Sequence, residues 1–484
     1  MAGAYSVTEL FKRFENVCFK LVRSTEDQIT KNLLEGGINT RPANSNGVWC
    51  PLLLPAIMLI YCWTDQVSML YKLTAFISLG LLTYSLLFVL FLSTSHVVVT
   101  DSVYGGCLAS SLIATLAMFA GLKQGLLFSL SITLLSTILF ASLLRYSLTE
   151  FHKTFTIGEA MIVCQSVVLF VMMAFTKFFF SISDGDEEMD FVNNIVYTVL
   201  STVGLIVAVL YHLNDSQRNL KVLSYILLSA VAFVLLILHT LLGNNSIEKI
   251  LNYVFYQGNR SRIFTFWLIL VLVAVCALMF RTKLAIKATT VTRKTFHILA
   301  SLVFMSGILL DIHLMYLAAG VGLAILVFVE ALRKSRIEPI SSALQSAFVV
   351  YCDEKDCGSF AMTPIYLYTG LACPLLLVPS ESYLDRLSGV LSVGVGDTAA
   401  SWFGSNYGFH KWPDSNRSLE GTLFNILSQI GTVYMLTLFG LLNEADSVSR
   451  TCFSALICSL VEARTSQVDN LVLPLVMLLA YRAV

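Results

Sequence analysis

Apolar segments of roughly 17–25 residues, separated by short polar breaks, recur from about residue 50 onwards in this chain. Segments of that length are what an α-helix needs to cross the hydrocarbon core of a bilayer, where every backbone hydrogen bond must be made within the segment. Hydrophobic residues make up 56% of the 484 residues and charged residues only 13%, and the mean hydropathy is +0.77. This composition lies outside the range of soluble domains. The sequence therefore predicts an all-α polytopic membrane protein.

The hydropathy pattern predicts about 13–15 transmembrane helices, and the shorter candidates are also compatible with re-entrant or interfacial segments. The candidate spans are 51–66, 70–94, 105–121, 125–144, 160–180, 193–212, 221–242, 263–280, 296–311, 313–331, 361–379, 386–402, 423–442, 451–463 and 470–482.

Positive charge predicts the orientation, because Lys and Arg concentrate in loops that stay in the cytoplasm. Basic clusters at 12–41, 281–294 and 333–336 fall on one side of this map, and the acidic turn at 184–190 falls on the other. The sequence thus predicts a cytoplasmic N-terminus and a cytoplasmic loop at 403–422, with the tail of the chain on the opposite side of the membrane.

Composition along the chain predicts three parts. Residues 1–48 are polar, show no signal-peptide pattern and predict a cytoplasmic amphipathic segment. Residues 49–280 are expected to form an N-terminal transmembrane bundle, and residues 281–484 a C-terminal bundle that holds most of the dense polar loops. Lys plus Arg and Asp plus Glu are balanced at 31 each, so the charge gives no reason to expect a nucleic-acid partner. Catalytic chemistry is therefore expected in the C-terminal bundle.

Between Val393 and Gly421 the chain reads VGVGDTAASWFGSNYGFHKWPDSNRSLEG, a polar, glycine-rich segment between two apolar ones. Glycines let backbone amides approach a polyphosphate closely, but cations must also be present to hold a nucleoside triphosphate. Carboxylates are the oxygen ligands suited to the Mg²⁺ that bridges phosphate oxygens. The segment therefore predicts a phosphate-handling loop with glycines at Gly394, Gly396, Gly404, Gly408 and Gly421, cations at Lys411 and Arg417, metal ligands at Asp397 and Glu420, and further contacts from Ser401 and Trp412.

Several polar residues have a structural interpretation beside the functional one. An Asp near the end of a membrane helix is costly without a partner or a task, which favours a metal or base role for Asp397 over a helix cap. Trp412 either stacks on a nucleotide base or anchors its loop at the headgroup level. His297, one turn into an apolar segment, has the position of a hydrogen-bonded core residue as much as that of an acid or base. Glu159, at the start of a span, is interpreted as a capped or paired structural acid.

Three segments of the C-terminal half resemble the polyprenol kinase family, and most nearly its eukaryotic dolichol kinases. GDTAAS, a G-x-x-x-G spacing, KWP and SLEGT follow one another in the family's order. The segment TRKTFHIL, with Arg293, Lys294 and His297, is similar to the basic patch that opens the family's catalytic half, and EARTSQVDNLVLP, from Glu462 to Pro474, is similar to its closing segment. Together these segments cover about the last 190 residues.

The resemblance implies a CTP-dependent kinase. CTP would donate its γ-phosphate, with a divalent cation, Mg²⁺ or Ca²⁺, to the terminal hydroxyl of dolichol. The reaction would take place at the cytoplasmic face of the endoplasmic reticulum membrane and give dolichyl phosphate for protein glycosylation. Since dolichol reaches the enzyme through the bilayer, a helical bundle with its polar loops on one face is the architecture that such a reaction requires.

Carried onto this sequence, the resemblance implies a role for each polar residue of the site. Asp397 would bind the metal, and Asp469 would be a second ligand or the base for the alcohol. Lys411 and Arg417 would contact the phosphates; Asn416 stands where the family usually has a lysine, while Arg417 keeps the charge. The remaining implied contacts are Glu420 and Glu462 at the metal, and Arg293, Lys294, His297 and Asn470 around the nucleotide.

Other functions remain open at this point. A membrane cytidylyltransferase would also use CTP, a metal and a lipid acceptor, but it would release pyrophosphate, whereas a kinase releases CDP. A kinase for another isoprenoid alcohol would differ only in apolar walls that the sequence does not resolve. A transporter would place polar residues at mid-bilayer depth in related halves, whereas here they cluster in one half and at one interface.

Overall fold

The computed structural model describes residues 7–180, 186–284, 289–352, 355–379, 381–413 and 415–484. Throughout these ranges the regular structure is helical, apart from one isolated antiparallel bridge between Lys411 and Ser418. The predicted all-α membrane fold is therefore confirmed for the described residues. The first six residues of the predicted N-terminal amphipathic segment lie outside them, and α1 follows at Val7–Glu35.

The chain forms two compact units, Met1–Pro55 with Leu73–Met173 and Ala56–Lys72 with Ala174–Val484. The predicted boundary near residue 280 falls inside the second unit, close to the end of one long helix. The α-helices up to residue 180 are α1 (Val7–Glu35), α2 (Leu53–Thr64), α3 (Met69–Leu92), α4 (Val97–Thr100), α5 (Cys107–Leu122), α6 (Leu126–Glu150) and α7 (Ile157–Phe180).

In the first unit, a buried ion pair holds the start of α7. Arg41 donates to Glu159 from Nη2 at 2.6 Å and from Nε at 3.1 Å, and both side chains are almost completely buried. Glu159 also accepts a hydrogen bond from the backbone of Thr156 at 2.9 Å. A buried carboxylate needs such partners, because desolvation of an unpaired charge is costly. The interpretation of Glu159 as a paired structural acid is thus confirmed.

The second unit is a bundle of helices with two π-helical stretches, Asn252–Tyr256 and Val390–Asp397. Its α-helices are α8 (Glu187–His212), α9 (Leu220–Leu242), α10 (Ser246–Leu251), α11 (Arg260–Leu284), α12 (Thr290–Leu310), α13 (Ile312–Lys334), α14 (Ile340–Tyr351), α15 (Met362–Leu377), α16 (Tyr383–Arg386), α17 (Thr398–Tyr407), α18 (Leu419–Leu438), α19 (Ser447–Arg464) and α20 (Asp469–Arg482).

The apolar core of this unit lies among α12, α13, α15, α18 and α20, around the π-helix Val390–Asp397. Phe304, Met315, Leu371, Val433 and Met477 are each at most 1% exposed and belong to one continuous cluster. Val390 and Leu391 of the π-helix belong to this cluster, and Asp397, its last residue, is 3% exposed, so the π-helix holds Asp397 at one end of the core.

Eight helices in the described ranges are long and apolar enough to cross a membrane, namely α3, α6, α7, α8, α9, α11, α12 and α13. Four shorter apolar helices accompany them, at Cys50–Thr64, Cys107–Leu122, Ile340–Val350 and Met362–Leu377. The range of about 13–15 spans that hydropathy predicted is higher, because apolar composition does not distinguish a full span from a shorter helix buried by its neighbours.

A network of charges and hydroxyls joins helix ends of the second unit far from the glycine-rich segment. Asp385, 1% exposed, accepts from the hydroxyl of Tyr61 and from Arg450, both at 2.8 Å, and Arg482 lies 3.3 Å away. Arg482 also pairs with Asp65. The network fixes the end of α20 opposite to Asp469, and so limits how far α20 can tilt against the core.

Candidate active site

Most of the segment predicted as a phosphate-handling loop is helical. Residues 390–397 form the π-helix, and α17 follows directly at Thr398–Tyr407. Of the described residues, only 408–413 and 415–418 are a loop, and α18 begins at Leu419 with Ser418 as its cap, whose hydroxyl accepts from the amide of Gly421 at 3.1 Å. The segment predicted as a span at 386–402 is therefore helical, and the loop predicted at 403–422 is shorter than expected, because α17 continues to Tyr407 and α18 begins at Leu419.

The glycines of the segment face neighbouring helices. A Cβ atom on Gly394 would collide with the hydroxyl of Ser301 on α12, and one on Gly396 would collide with Asn425 and Gln429 on α18. Gly404, Gly408 and Gly421 lie against each other and against Ser418, where α17 meets α18, and Gly421 also approaches the carbonyl oxygen of Ala400. Their observed role is close helix packing. A contact between these glycines and a nucleotide stays a prediction.

Asp397 lies at the junction of the π-helix and α17 and is 3% exposed. Lys294, in the first turns of α12, donates to its Oδ2 atom. The ring Nδ1 of His297 lies 3.8 Å from the same oxygen, and the hydroxyl of Ser401 lies 3.5 Å from the other one. Two of the three residues predicted in the basic patch therefore meet the predicted metal-binding Asp; the third, Arg293, lies half-buried beside them on α12.

Asp469 is the first residue of α20, where the positive end of the helix dipole favours a carboxylate. Its Oδ2 atom accepts from Lys355 Nζ at 3.1 Å and lies 3.8 Å from Arg417 Nη2. Burial opposes its ionisation, but the charges of Lys355, Lys294 and Arg417 outweigh burial and lower the pKa of Asp469. This carboxyl is therefore ionised at neutral pH.

Glu462, in the last turn of α19, is the third acid of the site and, like Asp397, is buried. It accepts a hydrogen bond from the side-chain amide of Asn425, which in turn accepts from Gln429. Its charge interacts with those of Asp397 and Asp469, so the three acids share one electrostatic environment. Three carboxylates from separate helices thus act on one another through their charges.

Glu420 and Lys411 lie outside this group of acids. Lys411 is on the exposed loop between α17 and α18, and Glu420 is in the first turn of α18. Glu420 accepts from the ring of His410 at 2.6 Å, and this hydrogen bond lowers the pKa of Glu420. Lys411 donates to the backbone carbonyl of Asn416 at 3.1 Å and so closes its own turn. Their predicted metal and phosphate roles therefore rest on the sequence alone.

Trp412 and Arg417 tie the same loop to the core. The indole of Trp412 donates to the hydroxyl of Thr422 at 3.0 Å and lies under the guanidinium of Arg464, which is 5.4 Å from the ring centre. Arg417 donates to the carbonyl of Thr465 at 3.1 Å, beside its contact with Asp469. These contacts are structural and position the loop against the ends of α19 and α20.

The side-chain oxygens of this site could hold a divalent cation whose other ligands come from a nucleotide. The described residues hold no group of three or more His, Cys, Asp or Glu side chains arranged as a metal cage. Mg²⁺ in nucleotide sites typically takes only one or two carboxylates, with phosphate oxygens and water completing its shell. Asp397 and Asp469 offer such oxygens, and the side-chain oxygen of Asn470 is buried beside them without a hydrogen-bond partner.

Lys355, Asn425 and Gln429 are site residues that the sequence analysis missed. Lys355 lies before the glycine-rich segment that begins at Val393, in the short polar break DEKDC between α14 and α15. The neighbouring Asp356 accepts from the amides of Met362 and Thr363 at 3.0 Å, and so fixes the backbone that carries Lys355. A polar break with a lysine among acids was the available signal in the sequence.

An apolar groove of about 510 Å³ opens next to Asp397. One wall is a single face of α12, from Lys294 at the polar end to Met305, and the other is formed by the end of the π-helix and α17. Ser301 and Thr398 line it with buried hydroxyls that have no hydrogen-bond partner. The groove therefore combines apolar walls with a few polar atoms near the acid–lysine pair.

Sequence comparison finds relatives of known name. A dolichol kinase of Mus musculus is 35% identical over 248 residues, which are 48% of this chain and 46% of that protein. A dolichol kinase of Homo sapiens is 38% identical over 208 residues, 41% of this chain and 39% of that protein. "Dolichol kinase EVAN" of Arabidopsis thaliana is 29% identical over 227 residues, 45% and 39% of the two chains. The chain thus spans less than half the length of the curated relatives it matches.

No solved structure matches the chain significantly. Residues 53–382 match the sequence model of the family described as dolichol kinase. This range runs from the first unit through α12 and Lys355, and it is well over half of the chain. The chain belongs to the dolichol kinase family.

Proposed function

We propose that this protein is a CTP-dependent dolichol kinase, which transfers the γ-phosphate of CTP to the terminal hydroxyl of dolichol and releases CDP. One observation carries the proposal: two carboxylates, Asp397 and Asp469, are each paired with a lysine and share one electrostatic environment, and Lys294, the partner of Asp397, also lines a groove with apolar walls. Such a site suits a reaction between a charged phosphate donor and a lipid acceptor. Membership of the dolichol kinase family, and the names of the relatives, support dolichol as that acceptor.

Phosphoryl transfer requires positioning and charge neutralisation more than covalent chemistry by the protein. Lys294 and Lys355 already lie in the site, so their ammonium groups are available to the phosphates of CTP, and Arg417 adds a planar guanidinium. Asp469 is ionised at neutral pH and can accept the proton of the acceptor hydroxyl or bind the metal. A bound Mg²⁺ or Ca²⁺ would neutralise charge on the phosphate oxygens. Asp397 is the first carboxylate that we assign to it.

The proposal includes a location. We place the protein in the endoplasmic reticulum membrane, with the ends of α12, α19 and α20 that carry the site at the cytoplasmic face. The positive charges at 281–294 and 333–336 support this orientation, because such clusters stay in the cytoplasm. The product, dolichyl phosphate, would then serve protein glycosylation.

The test is transfer of the terminal phosphate from γ-labelled CTP, beside γ-labelled ATP, to dolichol in detergent micelles. Labelled dolichyl phosphate should form with CTP and the wild-type protein and should be lost with Asp397→Ala. Glu248→Gln, an exposed carboxylate on α10, is the matched control and should keep full activity. Removal of divalent cations with EDTA should stop turnover, and addition of Mg²⁺ or Ca²⁺ should restore it.

Other products would overturn the proposal in distinguishable ways. Release of pyrophosphate and formation of a CDP-lipid would identify a cytidylyltransferase. Preference for a short isoprenoid alcohol over dolichol would identify another kinase of the wider family. Absence of turnover with every alcohol tested, by a protein that is folded and metal-loaded, would exclude the kinase proposal.

A further inference from the structure

We propose that the groove between α12 and α17 binds the isoprenoid chain of the acceptor alcohol, with the hydroxyl end at Lys294 and Asp397. This inference rests on the proposed function, in that it names where the lipid substrate of the same site lies. The groove is lined along one face of α12 by Val291, Lys294, Thr295, Ile298, Ser301, Leu302 and Met305, and opposite by Gly394, Val395, Thr398, Ala399, Trp402 and Phe403.

The spacing of the residues on α12 makes the groove a continuous track. Positions 291, 294, 295, 298, 301, 302 and 305 follow the 3.6-residue repeat and therefore lie on one face of the helix. From Val291 to Met305 this face extends about 21 Å at 1.5 Å per residue. That length runs along a helix that is itself a candidate membrane span, so the groove lies where an isoprenoid chain enters from the bilayer.

The outer edge of the groove is open towards the surroundings of the bundle. Ile298 is 47% exposed, Leu302 41% and Trp402 43%, although all three are large and apolar. In a membrane-spanning helix such exposure means contact with lipid, and a chain can therefore slide in sideways without passing through water. The volume of about 510 Å³ falls within the range of ordinary ligand pockets.

The polar end of the groove suits an uncharged hydroxyl better than a phospholipid headgroup. Lys294 is the cation that lines the groove, and its charge is already balanced by Asp397. The hydroxyl of Ser301, on a residue that is 5% exposed, and that of Thr398 are buried in the lining without hydrogen-bond partners. An alcohol can donate to or accept from these two hydroxyls, whereas a phosphate diester brings a negative charge that a hydroxyl does not neutralise.

A second groove provides an internal comparison. It has a volume of about 430 Å³ and lies among α8, α9 and α13, lined by Val199, Ile206, Leu227, Ala230, Phe328 and other apolar residues. Its lining contains no acid or lysine among the described residues, so nothing there positions a reacting hydroxyl. A lipid that simply seeks apolar surface would occupy both grooves, but a substrate would occupy the first.

The test uses a polyisoprenoid alcohol that carries a diazirine on one of its first isoprene units. The probe is photolysed with the full-length protein in micelles, and the labelled peptides are mapped by mass spectrometry. We expect label on α12 and α17, at Ile298, Leu302 or Trp402, that excess dolichol suppresses and excess phosphatidylcholine does not. Label confined to the α8–α9–α13 groove, or spread evenly over lipid-facing helices without suppression by dolichol, would overturn the proposal.

Two variants fill the groove, and one fills the comparison groove. Ala399→Trp narrows the groove from the α17 side, and Ile298→Trp does so from a half-exposed position where folding tolerates a larger side chain. In each variant, about tenfold more dolichol should be needed to suppress the photolabelling of the groove. Ala230→Trp, in the α8–α9–α13 groove, should leave the required dolichol concentration unchanged. If folded Ile298→Trp and Ala399→Trp proteins both bind dolichol as the wild type does, the assignment of the groove fails.

Labelling does not require catalysis, so the two proposals fail separately. Suppressible label on α12 and α17 without CTP turnover would keep the lipid groove and reject the kinase. CTP-dependent turnover with label elsewhere would keep the kinase and reject the groove.

Discussion

The buried pair of Lys294 and Asp397 makes a prediction for a double-mutant cycle. The Lys294 side chain is 12% exposed and that of Asp397 is 4% exposed, so both charges are largely removed from water. Removing one partner of a buried pair costs about 3–5 kcal/mol, because the other charge is left without compensation. His297 and Ser401 remain near the carboxylate at 3.8 and 3.5 Å, so we expect the lower end of that range, about 3 kcal/mol, for Lys294→Met.

The double variant Lys294→Met with Asp397→Asn should recover part of this loss. It leaves neither charge buried alone, and we expect a coupling free energy of about 2 kcal/mol between the two positions. Stability is measured as the free energy of unfolding in mixed micelles with increasing dodecyl sulfate, and CTP-dependent transfer is measured in parallel. Transfer should be lost in both single variants and should not return in the double variant, since recovered stability does not restore the catalytic groups.

The control is Lys221→Met, an exposed lysine at the start of α9, which should change the unfolding free energy by less than about 0.5 kcal/mol. A Lys294→Met protein as stable as this control would show that the pair is not desolvated. A double variant less stable than Lys294→Met alone would refute the argument that an unpaired buried charge causes the loss.

Three further predictions concern the edges of the site and the orientation. The pKa of Asp469 is lowered in the folded protein. Its ionised form therefore stabilises the fold at pH values above the pKa of Asp in the unfolded chain, about 3.9, and this stabilisation is lost as the pH falls through the pKa of the folded protein. Lys355→Met removes a positive charge that lowers the pKa of Asp469, and the acid limb of the pH–rate profile should therefore move to higher pH. An acid limb that does not move would show that Lys355 does not set the pKa of Asp469. Asn416→Lys adds an exposed cation beside the active-site loop and should lower KM for CTP by up to about fivefold at low salt, with the gain lost at high salt; a gain that is independent of salt would contradict a charge effect. Glycan mapping of protein from a eukaryotic host should find Asn244 and Asn259 modified and Asn416 unmodified, and a glycan at Asn416 would exclude a cytoplasmic site.

The acids of the site illustrate how far the sequence could be read. Asp397 was predicted because an acid at the end of an apolar helix is costly unless it has a partner, and Asp469 because the family resemblance implies it. The structure pairs each of them with a lysine, and their charges interact with that of Glu462. Glu420 was predicted as an oxygen ligand of the glycine-rich segment, yet it pairs with His410 on the exposed loop. Spacing along the chain does not tell on which side of a helix a carboxylate emerges relative to the core.

Lys355 is a site residue that the sequence did not reveal. It lies 114 positions before Asp469, in a polar break that resembles many other loops, and only the folded chain brings the two together. The anchoring of Asp356 at the start of α15 decides where Lys355 points, and such a backbone contact has no signature in composition.

The glycines were recognised but their role was not. A glycine-rich polar segment has the same composition whether its small residues face a phosphate or a neighbouring helix. The close approach of Gly394 to Ser301, and of Gly421 to Gly404, depends on which helices are adjacent.

The sequence by itself determined that the chain is helical and crosses the membrane, because apolar length and the need to satisfy backbone hydrogen bonds act on each segment separately. It also located the chemistry in the C-terminal half, since acids and bases are costly among apolar segments unless they have a task. Only the tertiary structure decided which charges pair, where each helix begins and ends, and where the apolar groove opens next to Lys294, the partner of Asp397. These properties depend on contacts between segments distant in sequence, and on the shape of the space left between their side chains.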